Sequence, residues 1–101
     1  MEMENVNLKT IKHTKFSLGQ LVMTRGIDEW AKTGFDLWPY IIRHANGDWG
    51  DLGDDDKRAN ERALVDGSRI FSAYVVPERG KIWIITESTR EATTVLKPDE
   101  Y

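Results

Sequence analysis

Residues 69–97 read RIFSAYVVPERGKIWIITESTREATTVLK, and this stretch decides the fold. It holds three runs dense in β-branched and aromatic residues: Arg69–Val76, Lys81–Glu87 and Ala92–Lys97. Such side chains suit a pleated, half-buried surface. Pro77-Glu78-Arg79-Gly80 separates the first two runs, and Ser88–Glu91 separates the last two. Both segments carry turn chemistry, so two hairpins in series predict an antiparallel meander. Trp83 alternates with Ile82 and Ile84 and therefore faces the opposite side of the sheet. With Ile82 and Ile84 in the core, Trp83 and Phe71 stand on a far face, with Leu96 or Thr94 beside them.

Upstream of the meander the periodicity is helical. Residues 55–67, DDKRANERALVDG, predict a helix with Asp54 or Asp55 as N-cap, an apolar stripe of Ala59, Ala63 and Leu64, and Gly67 as its stop. Trp38–Asn46 predicts a second helix, with Pro39 near its start, Tyr40, Ile41 and His44 at helical spacing, and Gly47 after it. Gly26–Thr33 predicts a third, through Ile27, Trp30 and Ala31. Phe16–Thr24 reads as a strand, with Phe16, Leu18 and Val22 on one face and Leu21 and Met23 on the other. The order β-α-α-α-β-β-β predicts an α+β fold with helices on one face of a roughly four-stranded antiparallel sheet. Residues 1–15 are polar and aperiodic and are expected to be a flexible N-terminal arm; residues 16–101 are expected to form a single domain.

Composition excludes several classes. The chain has 101 residues, no cysteine and a net charge of −3. Disulfide scaffolds and thiolate metal sites are ruled out. The charge argues against direct nucleic-acid binding through a broad basic surface. There is no apolar run of membrane-spanning length and no signal-peptide pattern, so a cytoplasmic protein without a membrane role is expected.

The charge is unevenly spread. Residues 48–56 read DWGDLGDDD and hold Asp48, Asp51, Asp54, Asp55 and Asp56 with no base. Without those five aspartates the chain carries 14 bases and 12 acids. One reading is structural: a solvated loop, a tryptophan plugging the core, and acids favoured at a helix start. The other is a recognition segment for a basic partner, with Asp48, Trp49, Asp51, Asp54, Asp55 and Asp56 as the contact set and Trp49 as anchor.

Motifs for catalysis are sparse. His44 titrates near neutrality and is a candidate general acid or base oriented by Asp48; equally, it suits the C-terminus of its helix. An EF-hand loop started at Asp48 or at Asp51 fails at its ligand positions. His13 and His44 are isolated, so no metal is expected. No phosphate-cradling glycine loop and no nucleophile elbow occurs, so no cofactor is expected. One metal-free chemistry is compatible with the element order, that of small α+β ribonucleases of the barnase and RelE type. Here it would use His44 and Arg69, with Ser72, Tyr74, Thr86, Arg90 and Thr93 on or near the sheet.

The stretches RHANGDWGDL (43–52), ANERALVDGSRIFSAY (59–74) and KIWIITESTREATTVLKPDEY (81–101) resemble a family of small proteins of bacterial plasmids, integrative elements and prophages. Such proteins are often labelled plasmid-related proteins or subunit M of a type I restriction enzyme. The resemblance runs from about Phe16 to Tyr101. It implies a mobile-element setting and brings no activity with it. Methyltransferase activity is rejected on size, since this chain has roughly one-third to one-half the residues of a cofactor-binding methyltransferase domain. The leading expectation is a non-catalytic interaction protein whose acidic segment meets a protein partner with a basic, nucleic-acid-binding surface. The alternatives are a metal-independent ribonuclease and a structural homodimer formed through the far sheet face.

Overall fold

The meander forms, and a strand from the other end of the chain completes the sheet. The computed structural model describes residues 14–101. Among them the elements run β1 (Gln20–Met23), α1 (Arg25–Lys32), α2 (Trp38–Ala45), α3 (Asp54–Asp66), β2 (Ile70–Val76), β3 (Gly80–Thr86) and β4 (Ala92–Leu96), closed by a 3-10 turn at Pro98–Glu100. The expected arm falls mostly on residues 1–13, outside the described residues. Lys15, the last residue assigned to it, is docked: its backbone N–H donates to Ala45 O at 2.9 Å.

The fold is α+β, with helices packed on a four-stranded sheet of order β1-β4-β3-β2. β2 pairs antiparallel with β3, and β3 with β4, as the two turns dictate. The sheet is not antiparallel throughout, because β1 runs parallel to β4, with Leu21 opposite Thr93. No hairpin sets the direction of β1. A helical crossover returns the chain to the end it left, so β2 enters parallel to β1. Two reversals later β4 has that direction again.

The first strand is shorter than its pattern. Gly19 has φ +63°, and a Cβ there would lie 2.4 Å from the Glu91 carbonyl. Glycine is favoured at that backbone angle, and only glycine permits that approach. The kink resets the alternation, so Leu18 and Leu21 are both buried, although two-residue periodicity puts them on opposite faces.

One face of the sheet carries the core. Tyr74, Ile82, Ile84, Val95 and Leu21 pack with Ile27 of α1 and Ile41 and Ala45 of α2. Ile70 packs with Ala63 of α3 and with Trp49. On the other face, Phe71 and Trp83 are half-buried and Val75 is exposed. The alternation through Ile82, Trp83 and Ile84 therefore holds.

α3 differs in two details from its sequence pattern. Its N-cap is Gly53, not Asp54 or Asp55, and no side chain caps it. Its buried residues are Asn60 and Ala63, while Ala59 is exposed. The reason is polar: Asn60 Nδ2 donates to Phe71 O at 2.6 Å, and Asn60 Oδ1 accepts from Phe71 N at 3.1 Å. A side-chain amide thus stands in for a neighbouring strand along the outer edge of β2.

Candidate functional site

The acidic segment is stitched to the sheet. Trp49 O accepts from Ala73 N at 3.2 Å, and Asp51 N donates to Ala73 O at 2.6 Å, an isolated parallel bridge centred on Gly50. A Cβ on Gly50 would lie 2.0 Å from Ala73 O, so the segment reaches β2 only because that residue is glycine. The Tyr74 hydroxyl donates to Asp48 O at 2.6 Å from the core side.

The six residues expected as one contact set divide in two. The Asp48 carboxylate receives Arg43 Nε at 2.7 Å and Gly50 N at 3.2 Å. The Arg43 hydrogen bond, more than its charge, holds the Asp48 carboxyl below the ordinary carboxylate range. Asp48 therefore orients Arg43, not His44. Trp49 is only 4% exposed, and its indole N–H donates to Glu61 at 2.7 Å. It stacks on Phe16 and meets His44 edge-on. That corrects its role as anchor: it plugs the core, and an approaching partner does not reach it. Asp51 is well exposed and lies 3.8 Å from Lys81 Nζ. Asp54, Asp55 and Asp56 form the exposed first turn of α3, where Asp55 pairs with Arg58.

His44 is completely buried, neither at a helix surface nor in a cleft. Its Nδ1 lies 2.6 Å from Ser72 Oγ and its Nε2 lies 2.9 Å from Thr86 Oγ1. Thr86 Oγ1 is 2.7 Å from Thr93 Oγ1, which donates to Leu18 O at 2.7 Å. These contacts fix Nε2 as a donor. Thr93 has spent its hydrogen on Leu18, so it accepts from Thr86, and Thr86 therefore accepts from Nε2–H. In the neutral ring that burial favours, Nδ1 is then the acceptor of the Ser72 hydroxyl. Burial pushes the His44 pKa down to about 3. Ser72 and Thr86, which the sequence placed only on or near the sheet, are buried within this chain of bonds. Their signal was present as polar residues on the same strand faces as Tyr74 and Ile84.

The ribonuclease pair is not brought together. His44 lies under the core face, whereas Arg69 is exposed at the start of β2 on the opposite face. Arg69 Nη1 donates to the Tyr101 hydroxyl at 2.7 Å. Ser72, Thr86 and Thr93 are fully buried, and Arg90 is bound to backbone carbonyls of Ser68, Glu87 and Ala63. None of these groups faces a cleft that also holds His44. Among the described residues, no three His, Cys, Asp or Glu side chains converge as a metal site requires. Among them, too, no helix is long and apolar enough to cross a membrane.

The far face holds a feature that sequence reading only outlined. Phe71 and Trp83 meet edge-to-face at 5.1 Å, and Trp83 meets Tyr101 at 5.6 Å. With Arg69 and Ile85 they line a shallow cavity of about 230 Å³.

No protein-family model, curated protein or solved structure matches the chain.

Proposed function

We propose that this chain is a non-catalytic interaction protein that presents an acidic ridge to a basic protein surface. The ridge consists of Asp51, Asp54, Asp55 and Asp56. The observation that carries this reading is the bridge at Gly50–Ala73, which clamps the segment to β2 while these four side chains stay exposed. A recognition element held in place loses little conformational entropy when it binds. Clustered aspartates resemble the charge of a phosphate backbone, so the partner class is a protein with a nucleic-acid-binding channel. The sequence resemblance to mobile-element proteins supports a cytoplasmic setting in which such channels are targets. Trp49 supports the ridge from below and is not a contact, while Asp48 stays exposed beside the ridge with its carboxylate paired to Arg43.

The test is affinity capture from a bacterial lysate with mass spectrometry. The wild-type chain is compared with an Asp54→Lys/Asp55→Lys/Asp56→Lys variant whose fold is checked by circular dichroism. The reading expects basic nucleic-acid-binding proteins on the wild type, released by salt and missing from the variant. Identical captures from the two chains would overturn it.

A further inference from the structure

Among the described residues, no α-helix lies over the far sheet face. α1, α2 and α3 pack their buried apolar residues with the core-facing side chains of the sheet. The opposite side keeps Phe71 and Trp83 half-exposed, Val75 at 56% exposure and Tyr101 at 71%. From this arrangement we infer that the face packs against the same face of a second copy of this chain.

Register supplies the argument. Phe71 lies opposite Ile85, Ala73 opposite Trp83, and Val75 opposite Lys81. Consider a two-fold axis lying in the plane of the face, across the strands, midway between the Phe71 and Ala73 rows. It exchanges those two rows between the copies. Trp83 of one copy then sits over the Phe71 and Ile85 row of the other, where the shallow cavity of about 230 Å³ lies. Closed pairing of a patch with itself is the commonest way for chains to assemble. The same axis carries the Arg69 row onto the Val75 row. There Asp51, 63% exposed, reaches Lys81 only at 3.8 Å. Arg69 of one copy thus approaches Asp51 of the other, and by symmetry this happens twice. The arrangement is apolar in the middle and charge-complementary at both ends, as an interface with an apolar core and polar rim should be.

Area sets the strength. Four strands spaced about 4.8 Å apart, with about 3.3 Å per residue along them, give a face of about 20 by 20 Å. That footprint is roughly half of the ~800 Å² per partner in a stable complex, so the dimer is weak and concentration-dependent. The inference does not rest on the ridge's role in binding, although the two share Asp51; a dimer would carry two copies of the Asp54–Asp56 turn and bind a repeated basic target with greater avidity.

Sedimentation equilibrium from about 10 µM to 1 mM tests it, since weak association is populated over that range. The expected result is a mass rising from 11.6 kDa toward twice that value. Val75→Lys, at an exposed position, should weaken association at least tenfold. Arg69→Glu should weaken it too, and Arg69→Glu combined with Asp51→Arg should restore it, a rescue that no folding defect imitates. A wild-type chain that stays monomeric at the highest concentration overturns the inference. So does association indifferent to Val75→Lys. Binding of single-stranded oligonucleotide by a monomer, lost in Val75→Lys, would instead make the face a stacking platform and overturn the dimer. Loss of lysate capture in the triple-aspartate variant bears only on the ridge.

Discussion

Ser72 donates its hydroxyl hydrogen to His44 Nδ1 across 2.6 Å in a region closed to solvent. That bond is one end of a chain through Thr86 and Thr93 to Leu18 O, which ties α2, three strands' worth of side chains and the entry to β1 together. A protonated imidazole there would carry its charge out of water with no acidic partner beside it among the described residues, so burial disfavours it. The fold therefore binds neutral His44, while the unfolded chain binds a proton below about 6.5.

The sign follows directly. Between the ordinary histidine value and the depressed value of about 3, the unfolded state holds more protons. Stability from this group is complete above about pH 6.5 and declines as pH falls, by about 1.4 kcal/mol per pH unit. Urea unfolding at pH 7 and pH 5 should differ by about 2 kcal/mol, a window above most carboxylate titration. His44→Gln should be less stable at pH 7 and nearly flat over that window. An equally steep wild type and variant would show that His44 is not the group responsible.

Two glycines of the acidic segment separate strain from acidity. Gly50 has φ +76°, and an added Cβ would lie 2.0 Å from Ala73 O and 2.6 Å from the Tyr74 ring. Gly53 has φ −70° and nothing within 4 Å of an added Cβ. Gly50→Ala should therefore cost about 2–4 kcal/mol, through backbone strain and loss of the bridge. Gly53→Ala should change stability by less than about 1 kcal/mol, because alanine is a poorer N-cap than glycine but restricts the unfolded chain. Thermal unfolding of the two variants side by side measures the contrast. If the segment were a free loop, both would be neutral.

Asn60 and Phe71 make the next case. Their paired hydrogen bonds close the outer edge of β2 where no strand lies alongside. Asn60→Ala removes both partners of a half-buried peptide unit, at a cost of about 1–3 kcal/mol. It also frees an edge capable of pairing with another chain. Chemical unfolding should show the loss. Hydrogen exchange at the Phe71 amide should accelerate selectively, while exchange in β4 scales only with the loss of global stability.

The meander was legible because hairpins are local: turn residues and alternation fix two strand pairings within 29 residues. The position of β1 was not, since parallel pairing to β4 depends on where a helical crossover lands and leaves no mark in Gln20–Met23. Alternation alone put Trp83 on the face opposite Ile82 and Ile84, but did not decide which of the two faces is the core. The burial of Asn60, Ser72, Thr86 and Thr93 was not legible, for one shared reason. Periodicity treats polar side chains as outward-facing, whereas these are buried because they bond to one another, to His44 or to backbone. In the acidic segment the charge was plain, but its division was not. Trp49 is held inward through Glu61, and the exposed Asp48 is fixed in place by Arg43 and by Tyr74 on its carbonyl, groups that pattern alone cannot bring together.

Two non-glycine residues adopt left-handed backbone, Glu78 at φ 68° and Arg90 at φ 61°. Glu78 follows Pro77 in the β2–β3 turn, closed by Arg79 N to Val76 O at 3.1 Å, a position where glycine is favoured. Its side chain is exposed. Glu78→Gly should therefore raise stability by about 0.5–1 kcal/mol, the relief of left-handed strain less the extra entropy of the unfolded glycine. Arg90 is instead the last residue of the second turn, where its own N–H closes the turn onto Glu87 O at 2.9 Å, and its guanidinium donates to Ser68 O at 2.7 Å, Glu87 O at 3.1 Å and Ala63 O at 3.0 Å. Those bonds close the C-terminal end of α3, whose last turn holds no basic residue of its own. Arg90→Gly relieves the same strain and loses all three, so it should destabilise by about 1–2 kcal/mol. Opposite signs for one substitution at two similar backbone angles, read by thermal unfolding, isolate the side chain's contribution. Equal gains from both would mean that the Arg90 bonds contribute nothing to stability.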